Sequence, residues 1–239
     1  MKRIAMWSGP RNISTAMMRA FENRSDTVVV DEPFYAHYLL TTGLPHPGAD
    51  EVLAAQDNDW RRVAKTLSEA EQGADVFYQK HMAHHFCGSM DLSWIGGLTH
   101  GFLLREPRAM LLSLSRVLDE VTVADTGLEQ QKRLFDELRR RGLTPPVIDA
   151  RDVLEAPEQM LRALCDHLSI RFETAMLNWP AGPRDSDGVW ASHWYSAVEK
   201  STRFGPYQPV TGELDPALGA VLERCQALYD ELYAHRLTI

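Results

Sequence analysis

The sequence predicts an α/β fold in three layers, with a parallel sheet between two layers of helices. Short apolar runs alternate with longer amphipathic segments along the chain, which is the pattern of repeated βα units. The chain has 239 residues, of which 44% are hydrophobic, and no linker-like stretch interrupts it. We therefore expect one large domain over residues 1–239.

The N-terminal segment predicts the first βα unit. Residues 4–7 are an apolar run typical of a buried strand, and residues 8–12 are rich in turn formers. Residues 14–24 have the spacing of an amphipathic helix, and the β-branched run at 27–30 predicts a second strand. A strand, a helix and a second strand are typical of a parallel crossover.

The next segment continues the alternation. Residues 41–50 contain two glycines and two prolines and are predicted to form a loop. Residues 57–71 have helical spacing, and the apolar runs at 76–80 and 102–104 predict the third and fourth strands.

A helix is expected to follow the fourth strand, because Pro107 fits the first helical position, where its missing N–H costs nothing. The apolar side of this helix is predicted to extend to Val117. Residues 127–141 predict a charged amphipathic helix, and residues 147–149 predict a fifth strand.

The last third of the chain is predicted to be mainly helical. Residues 157–168 and 215–235 have apolar side chains at three- and four-residue steps, and residues 178–188 are a loop.

The charge balance excludes some classes of partner. The net charge is −8 and the isoelectric point is near 5.6, whereas general nucleic-acid and anionic-membrane binders need a basic face. The three cysteines form no CxxC motif, so neither a disulfide framework nor a zinc site is expected. The apolar run before Ser8 is too short for a signal-peptide core, and the other apolar runs are too short to span a bilayer. We therefore expect a cytoplasmic protein.

A first anion site is predicted at residues 8–15, where a strand turns sharply into a helix. Unpaired N–H groups and the helix dipole favour an anion there, Gly9 permits close approach, and Arg11 supplies charge. The segment lacks the lysine of a Walker A loop. It could equally be a plain capped turn in which Ser14 is the N-cap.

A second anion site is predicted where the fourth strand ends. Arg105 follows that strand, and Ser113 lies two helical turns further on. Alternatively, Arg105 pairs with a nearby acidic residue and Ser113 bonds within its own helix.

Together these two sites resemble the P-loop-like sulfotransferases, which use 3′-phosphoadenosine 5′-phosphosulfate (PAPS). That family holds the 5′-phosphosulfate with P-[KR]-S-G-[TS]-T, and residues 10–15 here are PRNIST, with Asn12-Ile13 in place of Ser-Gly. The family's 3′-phosphate motif is an Arg with a Pro two positions later and a Ser eight positions later, matched by Arg105, Pro107 and Ser113.

Later segments extend the resemblance as far as about residue 203. Residues 147–158 are similar to the family's strand, acidic turn and following helix start, and residues 161–172 continue that pattern. The resemblance implies a P-loop NTPase-like sulfotransferase fold and transfer of a sulfuryl group from PAPS to a hydroxyl or amine of a small molecule, without a metal. The residues that it implies for nucleotide binding are Arg11, Asn12, Ile13, Ser14, Thr15, Arg105, Ser113 and Arg203.

The resemblance also implies a base that accepts the acceptor's proton. Glu32 ends the second strand and His81 follows Lys80 at the end of the third, and either fits a position that family members use. The family's pattern at the third strand is K-x-H, whereas Lys80 and His81 are adjacent. Lys80 could instead assist the leaving phosphate.

Other polar and aromatic residues have two interpretations each. His84 and His85 follow His81 and could ligate a metal, but we expect solvated or capping residues at the surface. Arg203 or Lys200 could contact the 3′-phosphate or belong to a solvated basic turn. The tryptophans of this region could line the acceptor pocket or pack in the core; they are Trp179, Trp190 and Trp194.

Two other functions stay open at the level of sequence. One is a small-molecule kinase that uses ATP, and the other is a nucleotide- or partner-binding protein without catalysis. The acceptor pocket, whose ligand the sequence does not identify, is expected to be formed by residues 34–50 and 87–97.

Overall fold

A computed structural model describes residues 1–239. Its central strand is β1 (Lys2–Ser8), which pairs in parallel with β3 (Val76–Met82) on one side and β4 (Thr99–Leu104) on the other. The outer strands are β2 (Thr27–Asp31), beside β3, and β5 (Val147–Asp149), beside β4.

All five strands are parallel, in the order β2-β3-β1-β4-β5. The predicted strands are all present, and β1, β2, β3 and β4 are longer than predicted. The chain builds β2 and β3 on one side of β1 and then crosses from β3 to β4 on the other side. This reversal of strand order opens a crevice beyond the carboxyl ends of the strands.

Helices cover both faces of the sheet, because alternate residues of each strand point to opposite sides. The helices and their bounds are α1 (Ser14–Glu22), α2 (Tyr35–Thr42), α3 (Ala49–Ala55), α4 (Trp60–Glu69), α5 (Pro107–Leu114), α6 (Val123–Thr126), α7 (Leu128–Arg140), α8 (Ala150–Glu155), α9 (Pro157–His167), α10 (Ala191–Trp194), α11 (Ser196–Glu199) and α12 (Gly219–Tyr233). Ile4 and Met6 belong to a core with α1 and α9, whereas Ala5 and Trp7 belong to a core with α4, α5, α7 and α12. The predicted three-layer α/β fold is confirmed.

Several details differ from the predictions. The segment 41–50 is predicted to be a loop, but α2 extends to Thr42 and α3 begins at Ala49. Helix α5 ends at Leu114, and Val117 lies beyond it with 46% of its surface exposed. Ser14 is the first residue of α1 and not its N-cap, which is Ile13 and makes no side-chain capping bond. No helix is both long and apolar enough to cross a bilayer.

Candidate active site

A cavity of about 430 Å³ lies beyond the carboxyl ends of the strands. It is lined by the loop between β1 and α1, by residues that follow β2, β3 and β4, and by the segment 194–205. Two groups of lining residues matter below. The arginine group is Arg11, Arg105 and Arg203, and the ring group is Tyr35, Tyr38, His46, His84, His85 and Trp194.

The loop after β1 is held in a defined shape. Gly9 is required because a Cβ there would lie 2.5 Å from the carbonyl oxygen of Thr126. Asn12 donates from Nδ2 to the carbonyl oxygen of Leu103 at 3.1 Å and accepts from the backbone N–H of Ile13 at 2.8 Å. Asn12, at the position where the resembled family has a serine, therefore fastens the loop to β4.

Arg11 and Arg105 lie near each other at the cavity. Arg11 has a left-handed backbone (φ 52°), and its Nε donates to Oγ of Ser113 at 3.0 Å. Burial, and after it the charge of Arg11, lowers the pKa of Arg105. Neither guanidinium forms a salt bridge with a carboxylate. The loop residues from Arg11 to Thr15 line the same cavity, so backbone, hydroxyls and two unneutralised cations face one space.

Ser113 and the late segment are placed differently from the predictions. Ser113 does not line the cavity, and its hydroxyl instead accepts the hydrogen bond from Nε of Arg11. Arg203 is exposed and lines the cavity, whereas Lys200 does not.

A buried ionic network lies at the ends of β2 and β3. Lys80 uses its three N–H donors on Oδ1 of Asp31 (2.8 Å), Oε1 of Glu32 (2.7 Å) and the hydroxyl of Tyr195 (2.6 Å). The Tyr195 hydroxyl donates to Oδ2 of Asp31 at 2.6 Å and accepts from Nε1 of Trp190 at 3.1 Å. Every donor of Lys80 has a partner within the protein, and Lys80 also lines the cavity. Its assistance to a leaving phosphate stays a prediction.

Glu32 keeps one carboxylate oxygen available. Its Oε1 accepts from Lys80, whereas Oε2 accepts no hydrogen bond and lies 3.9 Å from Nε2 of His85. Burial raises the pKa of Glu32, although the charge of Lys80 opposes the shift. Glu32 has a left-handed backbone (φ 40°), and strain of this kind in a residue other than glycine tends to occur at functional sites.

His81 lies outside the cavity. Adjacent strand residues point to opposite faces, and His81 stacks on Trp7 with ring centroids 4.3 Å apart. Its Nε2 lies 3.1 Å from Oε1 of Gln79, and burial lowers its pKa to about 3. The role of base predicted for His81 therefore has no geometric support, whereas Glu32 lines the cavity.

The histidines that follow β3 are buried, contrary to the expected solvated position. His84 and His85 are 9% and 2% exposed, and both line the cavity. Burial lowers the pKa of His84 to about 3 and that of His85 well below its usual value. No group of three or more His, Cys, Asp or Glu side chains in the structure has an arrangement that could hold a metal ion.

The three tryptophans of the late segment have different surroundings. Trp194 lines the cavity, Trp190 bonds Tyr195, and Trp179 packs on Phe204 with its Nε1 donating to Ser201. Of the two segments expected to form the acceptor pocket, 34–50 contributes Tyr35, Tyr38 and His46 to the cavity lining, and 87–97 contributes no lining residue.

Sequence reasoning did not identify Tyr195 or Asp125. Tyr195 lies 115 positions from Lys80, and no motif connects the two. Asp125 caps its own short helix and also lines the cavity, and no signal distinguishes it from an ordinary capping residue.

Comparison with known proteins gives the family. A model described as "Sulfotransferase domain" matches residues 1–230, and the chain belongs to this sulfotransferase family. Family and fold together support a transferase.

Two curated relatives come from Arabidopsis thaliana. They are the branched-chain-amino-acid aminotransferase-like proteins 1 and 2, which are 35% and 33% identical over 97% and 98% of this chain. The matches cover 42% of each relative, so the chain spans about two fifths of their length. Their name describes those longer proteins.

Solved sulfotransferase structures share the fold. The sulfotransferase domain of the curacin biosynthetic pathway has a TM-score of 0.57 at 15% identity and 97% coverage of both chains. The domain from the Synechococcus PCC 7002 olefin synthase has a TM-score of 0.64 at 14% identity, with 100% of this chain and 96% of that one covered. The sulfotransferase from Alicyclobacillus acidocaldarius has a TM-score of 0.54 at 12% identity, with 100% and 97% covered. The predicted P-loop-like sulfotransferase fold is thereby confirmed.

Proposed function

We propose that the protein transfers a sulfuryl group from PAPS to a hydroxyl or amine of a small molecule. One observation supports this most directly: two arginines without carboxylate partners share a cavity with a glutamate whose Oε2 is free. The arginines and the loop suit a doubly phosphorylated donor, and the glutamate suits proton removal from an acceptor.

On the donor side, the 5′-phosphosulfate would lie on the loop after β1. Backbone N–H groups at the start of α1, with Ser14 and Thr15, would hold the transferring group, and Arg11 would stabilise the negative charge that grows on the departing phosphate. Arg105 and Arg203 would bind the 3′-phosphate. Ser113 would act by fixing the side chain of Arg11.

On the acceptor side, Oε2 of Glu32 would take the acceptor's proton. A bond forms between the acceptor oxygen or nitrogen and sulfur, while the bond from sulfur to the bridging phosphate oxygen breaks. The electron pair stays on that oxygen, and the product nucleotide is 3′-phosphoadenosine 5′-phosphate. Lys80 would hold Oε1 of Glu32 and so aim Oε2 at the cavity.

Calorimetric titration with 3′-phosphoadenosine 5′-phosphate, ATP with Mg²⁺, and AMP tests the donor assignment. We expect the bisphosphate to bind most tightly, and Arg105→Ala to weaken its binding at least tenfold, since a charge-assisted contact contributes about 1.5–3 kcal/mol. Arg139→Ala removes an equal charge from the exposed side of α7 and is the matched control. A preference for ATP with Mg²⁺, or bisphosphate affinity unchanged in Arg105→Ala, would contradict the proposal.

Release of the bisphosphate from PAPS across a panel of phenols, alcohols and amines tests the transfer itself. Acceptor-dependent release is expected. A protein that binds the bisphosphate tightly and sulfates none of the panel would instead support a nucleotide-binding protein without catalysis.

A further inference from the structure

The two groups of residues around the cavity differ in charge. The arginine group has three cations without carboxylate partners, whereas the ring group adds neutral rings and lies beside the carboxylates of Glu32 and Asp125. A donor nucleotide is an anion and fits the arginines. The charge and the aromatic faces of the ring group therefore indicate which kind of acceptor fits the rest of the cavity.

The lysine near the ring group adds no net positive charge. The Lys80 ammonium is paired with two carboxylates, those of Asp31 and Glu32, and burial with these partners excludes water from the contact. Burial alone would lower the pKa of Lys80, but the two carboxylates raise it well above its usual value. The three groups together have a net charge of −1 when both carboxylates are ionised, so an anionic acceptor would be repelled there.

The three histidines of the ring group are uncharged at neutral pH. Burial lowers the pKa of His46, His84 and His85, so none of them offsets the carboxylates at neutral pH. The carboxylate of Asp125 lies near these rings, and its charge acts to raise the pKa of Tyr38, His46 and His84.

The rings form a continuous aromatic surface. Tyr35 and Tyr38 both stack on His85, with ring centroids 4.6 and 4.8 Å away, and Tyr38 makes a T-shaped contact with His84 at 5.1 Å. Aromatic faces attract cations, and the attraction is stronger where water is excluded.

Two buried ring nitrogens beside the cavity have no hydrogen-bond partner, Nδ1 of His84 and Nδ1 of His85. Buried polar atoms in native proteins are nearly always paired, and an unpaired one beside a cavity points to a missing ligand or water. The ring group therefore has unused hydrogen-bonding capacity as well as aromatic faces.

We propose that the acceptor is a small hydroxylated amine, with its ammonium near Asp125 and the aromatic rings and its hydroxyl at Glu32. This inference rests on the proposed sulfuryl transfer. Transfer forms an O–S bond at that hydroxyl, and the hydroxyl proton goes to Oε2 of Glu32. Carboxylate- or phosphate-bearing alcohols are disfavoured acceptors.

Three phenols that differ mainly in charge test the inference: tyramine, 4-ethylphenol and 3-(4-hydroxyphenyl)propanoate. The test compares their dissociation constants, from calorimetry on protein saturated with 3′-phosphoadenosine 5′-phosphate, and their kcat/KM with PAPS. Tyramine is expected to bind at least tenfold more tightly than the propanoate, with 4-ethylphenol between them. Equal affinities, or tighter binding of the propanoate, would overturn the inference.

Asp125→Asn removes the charge while keeping a polar cap for α6. It is expected to weaken tyramine binding about tenfold and to leave 4-ethylphenol unchanged. Asp119→Asn, at an exposed position that does not line the cavity, is the matched control. An equal loss for both phenols would contradict the role of Asp125.

The bisphosphate titration separates the two proposals. If the bisphosphate does not bind, the proposed function fails and this inference fails with it. If it binds and the charge series shows no order, only the acceptor class is wrong. The charge series uses the unaltered protein and so does not depend on the folding of any variant.

Discussion

Nε of Arg11 donates a hydrogen bond to Oγ of Ser113 across 3.0 Å. This contact joins the loop after β1 to the helix after β4, 102 positions apart in sequence. It joins two segments that the sequence predicts to bind anions, each of which is a weak signal by itself, and Arg11 and Arg105 from these segments line one cavity.

Ser113→Ala is expected to weaken binding of 3′-phosphoadenosine 5′-phosphate about tenfold, because the Arg11 side chain loses the hydrogen bond that orients it. Calorimetry measures the affinity, and Ser115→Ala, at the exposed end of α5, is the control. Unaltered affinity in Ser113→Ala would show that Arg11 needs no such support.

Glu32→Gln is expected to lower kcat by about 10²- to 10⁴-fold because the proton acceptor is lost, while the bisphosphate still binds because the arginines are unchanged. In the unaltered protein the base must be ionised. Burial raises the pKa of Glu32 above 4.5, the ordinary pKa of a glutamate. A plot of kcat/KM against pH should therefore rise with a midpoint above 4.5. A midpoint at or below that value, or an active Glu32→Gln protein, would exclude Glu32 as the base.

Tyr195→Phe is expected to move this midpoint to higher pH. Without the hydroxyl, Asp31 loses a donor and draws Lys80 away from Glu32, which then holds its proton more strongly. The free energy of unfolding should fall by about 1–3 kcal/mol, since buried polar groups lose partners.

The pH–rate profile and urea unfolding measure the two effects of Tyr195→Phe. Tyr233→Phe removes a hydroxyl that makes no hydrogen bond and is the control. A stability loss without a shifted midpoint would mean that Tyr195 has a structural role alone.

His81→Gln is expected to keep kcat/KM close to that of the unaltered protein, because His81 does not line the cavity. Burial lowers the pKa of His81 from 6.5 to about 3, so between these values the unfolded chain binds more protons than the folded one. This contribution to stability is present above pH 6.5 and is lost as the pH falls.

Between pH 7 and 5.5, the free energy of unfolding should therefore fall by about 1 kcal/mol less in His81→Gln than in the unaltered protein. Urea unfolding at the two pH values measures it, with the exposed His167→Gln as control. A large loss of activity in His81→Gln at unchanged stability would restore His81 as a candidate base.

The strands and the long helices could be predicted because each has its own pattern of apolar residues. The fifth strand, for instance, is the apolar Val147-Ile148 beside a pair of prolines, and α9 begins at Pro157 with apolar residues at helical steps. Helices α10 and α11 have four residues each, too few to show a period.

The sequence predicts which residues lie at the strand ends, and Arg11, Glu32, Lys80 and Arg105 do line the cavity there. It does not predict which way a side chain points. Lys80 and His81 are neighbours in one strand, and a shift of one residue exchanges the faces that they occupy. The sequence pattern left both as candidates, and only the pairing of β3 with β1 and β2 decides which faces the cavity. Tyr195 depends on the folding of an irregular segment, which no local pattern specifies.

The left-handed backbone of Arg11 has a consequence for attempts to make this protein more robust. Glycine at this position would relieve about 1 kcal/mol of torsional cost, so selection for heat resistance alone would favour it. That gain would remove a side chain on which turnover is proposed to depend. Glu32 has the same backbone conformation, but glycine there would deprive Lys80 of a buried carboxylate and destabilise the fold. Libraries built for thermal tolerance should therefore hold the Arg11 codon fixed.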